Sequence, residues 1–268
     1  MKTLAKKTAL YWILATSLMA FSVQSKDKEV APPEAKPTIV LVHGAFAESS
    51  SWNGVTARLL ARGYPVVAAA NPLRSVKGDA AYLDGVVGSL KGSVVLVGHS
   101  YGGLVISNVD NSDRRIKALV YVAAFAPEAG ETAAGLSARF PGSSLGQALA
   151  SPVALQDGSN DLYIRQDKFH DQFAADIPAA DAAAAAVAQR PITDKALNES
   201  SGTPLWTSVP SWSIYGSQDR NIPAAALAFM AQRARSKRAV AVAGASHVVM
   251  ISHPDEVANL IVEAAEAL

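Results

Sequence analysis

Val94-Val95-Leu96-Val97-Gly98-His99-Ser100-Tyr101-Gly102-Gly103 joins a short apolar run to a Gly-x-Ser-x-Gly motif, and a segment of helical spacing, Gly103–Val109, follows directly. Four consecutive apolar residues, three of them β-branched, predict a strand buried on both faces. A serine between two glycines at the end of such a strand predicts a tight strand-to-helix turn. Its strained backbone admits only small neighbours at Gly98 and Gly102. The turn lifts the Ser100 hydroxyl clear of the sheet and sets the next N–H at the positive end of a helix. Ser100 is therefore the candidate nucleophile.

Outward from this motif the same alternation recurs. Strand-like runs occur at Thr38–Val42, Pro65–Ala69, Ser93–Val97, Ala118–Ala123, Ser211–Tyr215 and Ala239–Val242. Between them, Trp52–Arg62, Ala80–Leu90, Gly103–Val109, Ala224–Arg235 and Pro254–Leu268 carry helical spacing. Short apolar strands alternating with helices predict an α/β architecture, a parallel sheet covered on both faces. The interval 128–204 breaks that rhythm. It holds a Gly/Ser-rich stretch and the Ala-rich segment Ala174–Gln189, read as a helix because Phe169 and Phe173 precede it at i, i+4. It predicts a small helical insertion.

A serine hydroxyl is a poor nucleophile at neutral pH and needs a base within hydrogen-bond reach. Of the five histidines, His247 lies in the loop between the last strand-like run and the last helix. That is the C-terminal edge of such a sheet, where the base belongs. His253, beside Pro254, reads as a polar residue at a helix start. His99 sits inside the turn, cannot reach its neighbour's hydroxyl, and reads as a core residue. His43 ends the first strand and reads as a holder of the adjacent loop. His170 falls in the insertion and reads as a surface residue, with the pocket as the alternative.

The base needs a carboxylate to fix its tautomer and stabilise its charged form. Asp219 follows the penultimate strand in a turn-rich loop and completes the chain order Ser, Asp, His. Glu128, after the preceding strand, is the rival; Asp255 reads as a first-turn acid of the last helix. After the first strand, Gly44 in His43-Gly44-Ala45-Phe46 lets the backbone turn toward the serine. The N–H of Ala45, or alternatively of Phe46, would join that of Tyr101 in an oxyanion hole. Ser49–Ser51 before Trp52 read as a helix cap.

At 268 residues and 50 % hydrophobic, the chain can bury one sizeable core and is short for two enzyme domains. Charged residues make up 18 % and the formal net charge is +1, so nothing in the charge points to nucleic acid. The absence of cysteine excludes a disulfide framework, a thiolate nucleophile and an Fe–S cluster. No metal-ligand cluster stands out, and no cofactor is expected.

Lys2, Lys6 and Lys7 precede the apolar run Ala9–Phe21, which small and polar residues follow up to Ser25. This is the pattern of a secretory signal peptide over 1–25, cut after Ser22 or Ser25. The run is shorter than the ~20 residues that span a bilayer, so no stable membrane insertion is expected after cleavage. Loss of the three lysines changes the formal charge from +1 to −2. Residues 26–37, polar and with three prolines, read as a flexible linker before a catalytic domain over 38–268. The protein is expected to be exported, periplasmic or secreted.

Thr38–Trp52 (TIVLVHGAFAESSSW), Val97–Gly103 (VGHSYGG), Leu119–Pro127 (LVYVAAFAP), Tyr215–Pro223 (YGSQDRNIP) and Ser246–Val257 (SHVVMISHPDEV) together resemble bacterial members of the α/β-hydrolase superfamily. The nearest branch is the small methyl-esterase and hydroxynitrile-lyase-like group. The resemblance covers 38–268 and implies the α/β-hydrolase fold, a mostly parallel six-stranded sheet lacking the first two strands of larger hydrolases. It also implies a helical cap in about 128–204, whose Phe169, His170 and Trp206, with Phe46 from the first loop, shape the substrate pocket. The lyase branch carries threonine at the position of Gly44 and lysine directly after the catalytic histidine, where this chain has Val248. Without that lysine nothing stabilises departing cyanide. The expected reaction is two-step acyl transfer from a small or moderately apolar ester, thioester or lactone. A hydroxynitrile-lyase-like or cofactor-free perhydrolase reaction, and a non-catalytic small-ligand-binding protein of the same fold, are the alternatives.

Overall fold

Runs of valine, isoleucine and leucine with no room for polar alternation build the centre of the molecule. The computed structural model describes residues 35–268. The chain enters on β1 (Thr38–Val42) and continues through α1 (Asn53–Ala61), β2 (Val66–Ala69), α2 (Val76–Ser89), β3 (Val94–His99), α3 (Tyr101–Ser107) and β4 (Ile116–Val122). An insertion follows with α4 (Ala133–Arg139), α5 (Leu145–Ala148), β5 (Val153–Ala154), β6 (Asn160–Leu162), α6 (Gln166–Phe173), α7 (Ala179–Ala188), β7 (Ile192–Thr193) and α8 (Asp194–Asn198). The chain then returns through β8 (Ser211–Gly216), α9 (Ala224–Arg233), β9 (Ala239–Val242), α10 (Val249–Ser252) and α11 (Pro254–Glu266).

The main sheet has six strands in the order β2-β1-β3-β4-β8-β9, and every neighbouring pair is parallel. All five residues of β1 and all six of β3 and of β8 are buried, so both faces of the sheet are covered. Parallel pairing turns every C-terminal strand end to one edge. From β1 the chain steps outward to β2, then crosses back to β3 on the other side of β1. Such a reversal opens a crevice beyond the carboxyl ends of the two strands, where ligands bind in sheets of this kind.

Several expected boundaries shift for identifiable reasons. Helix α2 starts at Val76, not Ala80, because Ser75 caps it, its Oγ accepting the Gly78 N–H at 3.0 Å. Ser49–Ser51 do not cap α1. They form a 3-10 turn with Trp52, and the Ser49 and Ser51 hydroxyls donate to the carbonyls of Ala69 and Glu48. The insertion is not purely helical: β5, β6 and β7 make a small antiparallel sheet. Strands of two or three residues are too short for alternation to register in sequence. Within Ala174–Gln189 only α7 is helical, since Pro178 starts a new helix after the turn that ends α6.

The expected signal peptide over 1–25 and most of the linker over 26–37 lie outside the described residues. Among those residues, no helix is long and apolar enough to cross a membrane.

His43 holds the loop after β1, as its position suggests. Its Nδ1–H donates to the Gly44 carbonyl at 2.9 Å, and its Nε2 accepts the Asn71 N–H at 3.1 Å. Burial lowers its pKa from 6.5 to about 4. Between those values the unfolded chain holds the extra proton, so stability is fully present above pH 6.5 and falls as the pH drops toward 4. The loss from this one group is about 3 kcal/mol. Urea midpoints at pH 7 and pH 4 measure it. His43→Gln should begin less stable and decline less on acidification; an equal decline would remove His43 as the source.

Candidate active site

Ser100 sits between β3 and α3 at φ +54° and ψ −123°, a strained conformation for any residue with a side chain. Backbone hydrogen bonds to the end of β4 hold it there. The Ser100 N–H donates to the Val122 carbonyl at 3.2 Å, and its own carbonyl accepts the Phe125 N–H at 3.2 Å and the Gly103 N–H at 3.0 Å. The flanking glycines are required by space. A Cβ on Gly98 would lie 2.6 Å from the Gly102 carbonyl oxygen, and one on Gly102 would lie 2.5 Å from the Val42 carbonyl oxygen.

His247 and Asp219 come from the loops after β9 and β8, on the same sheet edge. His247 Nδ1–H donates to Asp219 Oδ2 at 2.6 Å, and both side chains are buried. Asp219 Oδ1 accepts the N–H groups of Asn221 and Ile222 at 2.8 and 2.9 Å, which fixes the carboxylate plane. With the proton on Nδ1, Nε2 carries the lone pair; it is buried and has no hydrogen-bond partner among the described residues. A proton acceptor so held can serve as a general base, and no hydrogen bond joins it to Ser100 Oγ in this structure.

His247 is clamped from two further sides. His99 Nε2–H donates to the His247 carbonyl at 3.0 Å, and the two imidazole centroids lie 4.8 Å apart. Burial holds the His99 pKa well below its ordinary value, so this ring stays neutral beside His247. Phe173 of the insertion packs against His247 with centroids 5.1 Å apart, and Phe169 stacks behind it. His253 instead precedes α11 and bonds Ser252. Glu128 is exposed and pairs with Arg233, and Asp255 pairs with Arg58, so neither approaches His247.

The loop after β1 abuts the serine. A Cβ at Gly44 would fall 2.6 Å from Ser100 Cβ and 2.7 Å from the His99 carbonyl oxygen, so this close approach admits only glycine. The Phe46 N–H, the alternative to that of Ala45 as oxyanion donor, is taken by the Arg190 carbonyl at 2.9 Å. The N–H groups of Ala45 and Tyr101 have no backbone or side-chain acceptor among the described residues. Both residues border the cavity that contains Ser100.

That cavity measures about 500 Å³, within the range of small-molecule sites. No charged side chain lines it. Its walls come from the sheet edge (Ala45, Phe46, Phe125), from α4, α5 and the turn between them, and from Leu197, Asn221 and Ile222. Phe46 borders it as expected, but Phe169, His170 and Trp206 do not, which corrects their assignment to the pocket. The His170 ring bonds the Ile177 carbonyl at 2.9 Å, and the Trp206 indole N–H donates to the Pro127 carbonyl at 2.7 Å. Both side chains tie the insertion together. Sequence reasoning missed the α4–α5 wall, Phe125, Phe173 against the base, and Asn221. The available signal was the Phe140-Pro141-Gly142-Ser143 turn, whose composition reads only as a loop. Among the described residues, no group of three or more His, Cys, Asp or Glu could hold a metal ion.

The model of the Alpha/beta hydrolase family matches residues 39–260. The carbendazim hydrolyzing esterase of Nocardioides sp. (strain SG-4G) is 36 % identical over 109 residues, covering 35 % of this chain and 44 % of that protein. The match thus spans less than half the length of that relative. The alpha/beta hydrolase nvfD of Aspergillus novofumigatus (strain IBT 16806) is 25 % identical over 252 residues, 86 % of this chain and 97 % of its own. Among solved structures, polyneuridine aldehyde esterase superposes with a TM-score of 0.74 at 18 % identity, over 85 % of this chain and 98 % of that one. This last likeness is one of fold.

Proposed function

The chain belongs to the alpha/beta hydrolase family, and from that premise we propose that it is a serine hydrolase of uncharged carboxylic esters, with Ser100 as nucleophile, His247 as base and Asp219 as the carboxylate that orients the base. The observation that carries this reading is the buried His247–Asp219 hydrogen bond; with Asp219 accepting the Nδ1 proton, the neutral imidazole carries its lone pair on Nε2, at the sheet edge that also bears Ser100. In the first step His247 Nε2 takes the hydroxyl proton as Ser100 Oγ attacks the ester carbonyl. The negative oxygen is received by the free N–H groups of Ala45 and Tyr101, the latter at the first turn of α3. The imidazolium, stabilised by Asp219, then protonates the leaving alcohol. In the second step His247 activates water against the acyl-enzyme and returns the proton to Ser100.

Two observations favour ester hydrolysis over cyanohydrin cleavage. The residue after His247 is the buried, apolar Val248, so no cation stands there, and the Gly44 backbone packs so closely on Ser100 and His99 that the threonine of the lyase branch would not fit in this arrangement. The esterase named among the relatives supports the same reaction class. The test is turnover of a p-nitrophenyl ester series from acetate to octanoate, together with labelling by a fluorophosphonate. Hydrolysis with a chain-length optimum, and a single phosphonate on the Ser100 peptide, are expected. No turnover on any ester, or labelling at another residue, would overturn the proposal.

A further inference from the structure

In the wall of the cavity, Ser143 is exposed, Ser137 is half-buried and the Tyr101 hydroxyl is spent on Asp79; apart from Ser100, the buried side chain with polar groups left for the cavity is Asn221. The orientation of its amide follows from its neighbours. The Arg220 carbonyl can only accept, so the Gln172 atom 2.9 Å from it is the amide nitrogen Nε2. The same Nε2 lies 2.7 Å from the Asn221 side chain, whose contacting atom is therefore Oδ1. Ser144 Oγ, donating to Gln172 Oε1 at 2.7 Å, completes the order. Asn221 Nδ2 is left with two N–H groups and no acceptor among the described residues, in a cavity without charge. Its backbone N–H is meanwhile bonded to Asp219, which holds the residue in place beside the carboxylate.

Nδ2 is not among the side-chain atoms sealed from solvent without a partner, so it stands accessible on a residue that lines the cavity, and such a free donor pair is a recognition element for whatever fills it. We propose that Asn221 Nδ2 donates to a second oxygen of the substrate, a ketone, ether or further ester oxygen carried on the same apolar framework as the scissile ester. This rests on the ester-hydrolase reading above. A carboxylate or ammonium on the substrate is disfavoured, because the cavity offers it no counter-charge. Asn221 thus selects neutral esters with an acceptor over plain alkyl esters of equal length.

The experiment compares p-nitrophenyl alkanoates with analogues in which one chain methylene at a time is replaced by oxygen. The readout is the ratio of kcat/KM, oxa to alkyl, which cancels any general loss of activity. For the best-placed oxygen, Asn221→Leu should lower this ratio about five- to tenfold, the range of one neutral hydrogen bond. Gln172→Leu, outside the cavity wall, removes the group that orients Asn221 and should lower the same ratio about twofold. If wild-type protein hydrolyses no ester of either set, the ester-hydrolase reading itself fails. If alkanoates turn over and the ratio is unchanged in both variants at every oxygen position, only the assignment to Asn221 falls.

Discussion

Ester hydrolysis by Ser100→Ala is expected to fall about 10⁶-fold in kcat, down to what the oxyanion donors and substrate binding provide without a nucleophile. The substitution removes one oxygen and leaves the backbone that holds the turn. The bonds from Ser100 N–H to Val122 and from Phe125 N–H to the Ser100 carbonyl do not involve the side chain. Circular dichroism and the melting temperature should therefore stay close to wild type, and fluorophosphonate labelling should disappear. Activity that survives the substitution would show that another group attacks the ester, and would remove Ser100 from the mechanism.

Asp219→Asn should cost about 10⁴-fold in kcat with KM little changed, the effect of holding the base in the wrong tautomer. The geometry explains why the new amide cannot turn to avoid this. Two backbone donors, the N–H groups of Asn221 and Ile222, require an oxygen at the Oδ1 position. The amide nitrogen must then occupy the position facing His247 Nδ1, 2.6 Å away in the native pair. Imidazole can accept that N–H only with its own proton on Nε2, and Nε2 then has no lone pair for the Ser100 hydroxyl. Steady-state kinetics on the best p-nitrophenyl ester decide the matter. A loss of less than tenfold would mean that Asp219 does not control the base.

Much of this arrangement is readable before folding because each catalytic candidate is local to a strand end. Ser100 follows Val94–Val97 by three residues, and His247 and Asp219 occupy the loops after Ala239–Val242 and Ser211–Tyr215. Once the strands are parallel, their ends share one edge whatever the side chains around them. His99 was readable as a core residue for a similar reason: the turn directs it opposite to Ser100. What could not be read was the lining. The insertion runs from about 128 to 204, and its contacts to the sheet depend on how short helices and two-residue strands fold over the crevice.

The contrast between Phe46 and Trp206 shows where the division falls. Phe46 is two residues from a glycine that must lie against Ser100, so its place at the cavity is set by chain connectivity alone. Trp206 lies just before the start of β8, at the strand end opposite the one that leads to Asp219, and its indole meets the Pro127 carbonyl outside the cavity. The amino-acid sequence by itself determined the parallel α/β sheet, the turn carrying Ser100 and the order of the three candidate catalytic residues. These follow from apolar periodicity and from glycines that steric contact demands. Only the tertiary structure decided that Ala45 and not Phe46 keeps a free N–H, that Phe173 packs on the base, and that α4, α5 and Asn221 enclose the substrate space. Each of those outcomes depends on a partner distant in sequence, such as Arg190 for Phe46 or Gln172 for Asn221, and such pairings exist only after the insertion has packed onto the sheet.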